Sequence, residues 1–159
     1  MAQEPGEARR AELARRLAGL AALWTMAVGA LVLAGWALDL AMLKSVGPEW
    51  VTLKANTAIG FILSGAALWT LRDEEPRSSA RRFARACAAT VALIGFLTLL
   101  EHLVGWQLGI DQLLFSESAN AIDTSAPGRM APASAFNFLL LSLALWLLDG
   151  RPVARNLGQ

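Results

Sequence analysis

Cysteine occurs once in this 159-residue chain, as Cys87, and histidine once, as His102. One thiol leaves no intrachain disulfide and no thiolate cluster, and a lone imidazole with no second His, Cys pair or Met at ligand spacing argues against a metal site. Gly-rich phosphate loops and nucleophile–base pairs are missing too, so an enzyme is not expected. Charge is scarce at 17% of residues, and it vanishes from Leu17–Leu38, Ala55–Leu71, Ala86–Leu100 and Met130–Leu148. These runs are close to the length that a bilayer's hydrocarbon core demands of a helix. The little charge that remains carries most of the information about placement.

What is abundant agrees with lipid as the solvent: 55% of residues are hydrophobic and the mean hydropathy is +0.45. In hydrocarbon an open strand would leave backbone groups unpaired, and four short spans cannot close a barrel. The expected fold is therefore all-α, an integral membrane four-helix bundle with spans at about 17–38, 55–71, 83–104 and 130–148. Residues 1–16 form a cytoplasmic amphipathic segment read as an uncleaved anchor, 17–149 the membrane domain, and 150–159 a cytoplasmic tail.

Counting Lys and Arg by loop gives the orientation. Arg9, Arg10, Arg15 and Arg16 precede span one; Arg72, Arg77, Arg81, Arg82 and Arg85 lie between spans two and three; Arg151 and Arg155 follow span four. Only Lys44, Lys54 and Arg129 fall elsewhere. The positive-inside rule then places both termini in the cytoplasm of a multi-pass inner-membrane protein, with 39–54 and 105–129 outside. Topology accounts for the basic loop without nucleic acid. Trp36, Trp50 and Trp106 sit at the outer interface and Trp69 and Trp146 near the inner one, as aromatic anchors.

Sliding the chain on itself by 77 residues matches Ala58, Phe61, Leu63, Ala67, Leu68, Trp69 and Leu71 to Ala135, Phe138, Leu140, Ala144, Leu145, Trp146 and Leu148. An offset of 70 pairs Leu33, Gly35, Trp36, Leu38 and Leu43 with Leu103, Gly105, Trp106, Leu108 and Leu113. Two repeated helical hairpins are the natural reading, related by an axis along the membrane normal. Helices in lipid associate through small residues, which Ala80, Ala84, Ala88 and Ala92 supply every fourth position, with Gly60 and Ser64 on span two. The stripe is either a packing seam or the by-product of an alanine-rich composition.

Polar residues within or beside the spans are the candidates for ligand binding. Glu101 lies about 24 Å along its helix from Arg85 at ~1.5 Å per residue, near the outer boundary of the hydrocarbon. It is either functional or an interfacial helix-end charge. Histidine is the side chain type that ordinarily changes charge nearest neutrality, so His102 beside it suits a response to external pH or ligand. No cofactor is predicted, and single-ligand haem or pigment ligation at His102 is the lesser alternative. Asn56, Thr57, Ser134 and Asn137 share the level of Glu101 and either line a cavity or cap and bond their own helices. Leu108 to Phe115, with Asp111 and Gln112, suggest a short amphipathic helix, a lid or a plain connector.

Gly35-Trp36, Lys54-Ala55-Asn56-Thr57-Ala58, the run Gly105 to Phe115, and Gly128-Arg129-Met130-Ala131-Pro132 resemble the multi-span membrane input region at the N-terminus of bacterial PAS-linked sensor histidine kinases and diguanylate cyclases. The resemblance covers roughly residues 20 to 150. That family's hairpins open with Met/Lys-x-Pro-Asn-Thr-Ala; here Ala55 replaces the first proline, and Ala133-Ser134 follow Pro132 in place of Asn-Thr. The resemblance implies a sensory or ligand-binding input module, working with a membrane or cytoplasmic signalling partner or by self-association. The other class of function is a small accessory subunit of a larger membrane complex. The exit after Asp149 suits a stand-alone relative or a piece of a longer receptor alike.

Overall fold

The computed structural model of the chain describes residues 5–45, 52–73, 75–117 and 126–149. Among these, all regular structure is helical: α1 (Pro5–Ala37), α2 (Ala41–Lys44), α3 (Ala55–Leu71), α4 (Ser78–Val104), a 3-10 turn at Ile110–Gln112, and α5 (Pro132–Asp149). Gly6–Ala37, Ser78–Val104 and Pro132–Asp149 are long and apolar enough to cross a membrane, while α3 is apolar but shorter, at 17 residues.

Local chemistry sets the ends of these helices. Pro5 and Pro132 occupy first helical positions, where a missing N–H is harmless and φ is already helical. Gly105 closes α4 in the left-handed region at φ 73, its N–H bonded to the Glu101 carbonyl at 3.1 Å, an arrangement that costs a glycine no Cβ clash. α1 runs unbroken through its charged beginning, where Arg16 donates to Glu12 at 2.7 Å across an exposed turn. Such a surface pair is worth only ~0.3–0.5 kcal/mol.

α1 packs along α3, α3 against α4, and α4 against α5, with a lesser α3–α5 contact. α4 and α5 are antiparallel: Arg85 at the start of α4 donates to Asp149 at the end of α5, while Glu101, at the far end of α4, meets Arg129 just ahead of α5. Two apolar clusters fill the interior. Ala67, Ala84, Cys87, Ala88 and Leu145 form one, and Val91, Met130, Ala135 and Phe138 the other. Ala84 and Ala88 of the alanine stripe are thus spent inside the molecule, whereas Ala80 and Ala92 are only half-buried.

Dispersion between close backbones replaces the hydrophobic effect as the adhesive when the surroundings are themselves apolar. Glycine marks the closest approaches. A Cβ on Gly29 would lie 2.5 Å from the Ala58 carbonyl, one on Gly65 2.7 Å from the Ala22 carbonyl, and one on Gly95 2.7 Å from the Ala135 carbonyl. Gly60 lies beneath the Phe138 ring, which meets Phe61 edge-on at 5.9 Å. Ser64 is buried on the same helix. Large apolar side chains such as Leu20, Trp24, Phe96, Leu140 and Leu147 face outward, a surface suited to lipid and an aggregation hazard in water. Within the apolar helices Thr25, Thr70 and Thr90 return their hydroxyls to carbonyls one turn back, which satisfies them without a partner helix.

Candidate functional site

Five charged residues from four separate segments meet at one end of the helices. Lys54 immediately precedes α3, Glu101 lies in the last turn of α4, Asp111 and Glu117 belong to the connection that follows, and Arg129 leads into α5. Lys54, Glu101, Asp111 and Arg129 are buried, and the Glu117 side chain is 7% exposed. A buried charge survives only when paired and hydrogen-bonded. Most of the atoms here meet that condition.

The first half of this cap centres on Glu117. Lys54 Nζ donates to Oε1 at 2.6 Å and Oε2 at 2.7 Å, the Thr52 hydroxyl donates to Oε1 at 2.8 Å, and the Gly128 amide donates to Oε2 at 2.6 Å. Burial by itself pushes the Glu117 carboxyl up, but Lys54, the Gly128 amide and Thr52 outweigh it and hold the group below its ordinary value of 4.5. A carboxyl lowered by folding contributes stability that is complete above 4.5 and is lost as pH falls through the lower folded value. The Glu117 clasp is accordingly expected to loosen below that range, seen as faster proteolysis in the 105–131 region, and a Glu117→Gln variant should lose this acid sensitivity.

The second half centres on Arg129. Its Nε donates to Asp111 Oδ2 at 2.8 Å, its Nη2 donates to the Trp106 carbonyl at 3.1 Å, and the same Nη2 lies 3.4 Å from Glu101 Oε1. Glu101 Oε1 also accepts the Leu108 amide at 2.7 Å. One guanidinium therefore ties the end of α4, the turn after it and the entry to α5 into a single unit.

The residues singled out from sequence are distributed around this cap. Glu101 lies at its centre. Its neighbour His102 turns to the Met130 carbonyl, 3.0 Å from Nε2; a carbonyl only accepts, so Nε2 carries the proton. Asn56 donates to the Ile110 carbonyl at 3.2 Å and pins the connection to α3. Thr57 is buried beside it and Ser134 is half-buried. Asn137 is exposed on α5. Where a short amphipathic helix is expected between 108 and 115, the chain makes only the 3-10 turn, with Asp111 inward and Leu108, Leu113 and Leu114 outward. The pull of Arg129 on Asp111 fixes that orientation.

Of the aromatic anchors, Trp36 is half-buried, donates to the Leu53 carbonyl at 2.9 Å and packs on Phe115 at 5.9 Å. Trp106 and Trp146 are exposed, Arg72 lies over the Trp69 ring at 3.3 Å, and Trp50 lies outside the described residues. The described residues contain no group of three or more His, Cys, Asp or Glu arranged to hold a metal ion.

Sequence reasoning missed Lys54, Asp111, Glu117 and Arg129 as site residues. A signal was present. The only basic residues that the positive-inside count leaves on the outer side are Lys44, Lys54 and Arg129, and each has a carboxylate partner: Asp39 at 2.6 Å, Glu117, and Asp111 with Glu101. Comparison with protein-family models, with curated proteins and with solved structures gives no match for this chain.

Proposed function

We propose that the chain is a membrane-embedded, non-catalytic input module of a bacterial signalling system, four spans arranged as a four-helix bundle of two repeated hairpins. It is held in the inner membrane with both termini cytoplasmic. The observation that carries this reading is the buried cap. Five charges from four segments are costly to bury, and the contacts among them link α3, α4 and α5 at one end. Any ligand that disturbs those contacts acts on all three helices together, which is what an input module requires.

Duplication finds support in matched details beyond apolar identities. Asp39 at φ 53 and Gly109 at φ 75 are 70 positions apart, both left-handed and both followed by a short helical turn. Leu53 and Met130 are 77 apart, and the carbonyl of each is held by a ring nitrogen from the preceding long helix, Trp36 and His102 respectively. α3 at ~1.5 Å per residue is about 25 Å long, at the lower limit for a span. The arginine distribution supports the orientation.

The test is a fusion of the chain, through α5, to a cyclase reporter domain. Breaking the cap with Lys54→Met should change cyclase output at equal protein level, and the purified fusion should run as a monomer or dimer. Unchanged output for every cap variant, or isolation in fixed stoichiometry with a larger membrane complex, would reject the input module in favour of an accessory subunit.

A further inference from the structure

Among the described residues, three acids, Glu101, Asp111 and Glu117, face two bases, Lys54 and Arg129, in the cap. The mismatch is localised. Both oxygens of Glu117 are bonded, whereas Glu101 and Asp111 share the single guanidinium of Arg129. Each is left with one oxygen, Glu101 Oε2 and Asp111 Oδ1, that is buried and has no hydrogen-bond donor among the described residues. Their side chains are 0% and 6% exposed, so bulk solvent does not supply what the protein withholds. The two carboxyl groups converge on that one guanidinium, Asp111 Oδ2 at 2.8 Å from Nε and Glu101 Oε1 at 3.4 Å from Nη2.

An unpaired anionic oxygen removed from water is among the most expensive groups a protein can bury, and two of them in one site cannot both remain charged without a further positive charge. The charge that fits needs no cavity and only two acceptors. An alkali cation would require several oxygens around it, whereas a proton bridges two.

We propose that Glu101 Oε2 and Asp111 Oδ1 form a proton-binding site that holds one shared proton when the cap is closed. Among the described residues, the other groups bonded to these carboxylates are fixed donors: Arg129 from the entry to α5 and the Leu108 amide. His102, on the same helix, is turned to the Met130 carbonyl, and Lys54 is engaged by Glu117. Loss of the proton leaves two like charges on one guanidinium and forces the turn at Asp111 away from α4. This gives the input-module reading a ligand, the external proton, and rests on that reading only for its signalling consequence, because binding is measured on the chain alone.

The experiment is the melting temperature of the purified chain in lipid nanodiscs, followed from about pH 5 to about pH 9 at constant ionic strength. A proton bound by the folded cap and not by the unfolded chain stabilises the fold as pH falls, opposite in sign to the Glu117 effect and at higher pH. The expected rise is roughly 3–5 °C per pH unit over the titrating range. Glu101→Gln, whose amide N–H replaces the shared proton, should fold with a melting temperature flat over the same range. A flat wild-type profile would overturn the proposal without reference to any variant. So would a pH response that survives in both Glu101→Gln and Asp111→Asn, or stabilisation by sodium at fixed pH with choline as the control.

Discussion

Replacing Arg129 by methionine is expected to cost the fold about 3–5 kcal/mol, the range found when one partner of a buried ion pair is removed and the other is stranded. Methionine fills much of the same volume, so the loss isolates charge from packing. Asp111 would lose the donor at 2.8 Å, Glu101 the cation at 3.4 Å, and the Trp106 carbonyl its bond at 3.1 Å. Detergent-phase thermal melts measure the change. If stranded carboxylates are the cause, Glu101→Gln and Asp111→Leu added to Arg129→Met should restore most of the loss. Additive losses on combining them would place the cause elsewhere.

A second large effect is expected where α1 crosses α3. Gly29→Val would put a Cβ 2.5 Å from the Ala58 carbonyl and 2.8 Å from an Ile62 side-chain carbon. The carbonyl is backbone and cannot step aside, so the helices must separate. α1 has α3 as its main neighbour among the long helices, and the cost of overpacking, typically about 1–3 kcal/mol, falls on that one seam. Faster amide exchange along α1, with α4 and α5 unchanged, is the expected signature. Gly6→Val is the control, since nothing lies within 4 Å of a Cβ there.

Helical structure was legible in the sequence because it depends on local properties. Uncharged runs in lipid have no alternative to helix, and α3 and α5 fall on the apolar runs that begin near Ala55 and Met130. Packing was partly legible. Ala84, Ala88, Gly60 and Ser64 are interior, but the glycines at the tightest crossings, Gly29, Gly65 and Gly95, carry no pattern that separates them from other small residues in an alanine-rich chain. The site was the least legible part. Glu101 stood out by its position after an uncharged run, yet its partners do not lie in the spans. Lys54 and Glu117 are 63 residues apart, and Asp111 and Arg129 are 18 apart. Charges in connecting loops are ordinarily solvated, so only the fold reveals that these are buried.

The central claim is that buried carboxylates hold the capped end together, and backbone exchange tests it without any substitution. The Leu108 amide donates to Glu101 Oε1 and the Gly128 amide to Glu117 Oε2, and neither belongs to a helix. A hydrogen bond to a charged group contributes about 1.5–3 kcal/mol, which corresponds to roughly 10–100-fold slower exchange. Hydrogen–deuterium exchange of the wild-type chain in nanodiscs at neutral pH should find both amides protected to that degree. Exchange at the rate of a free peptide at either position would contradict the account.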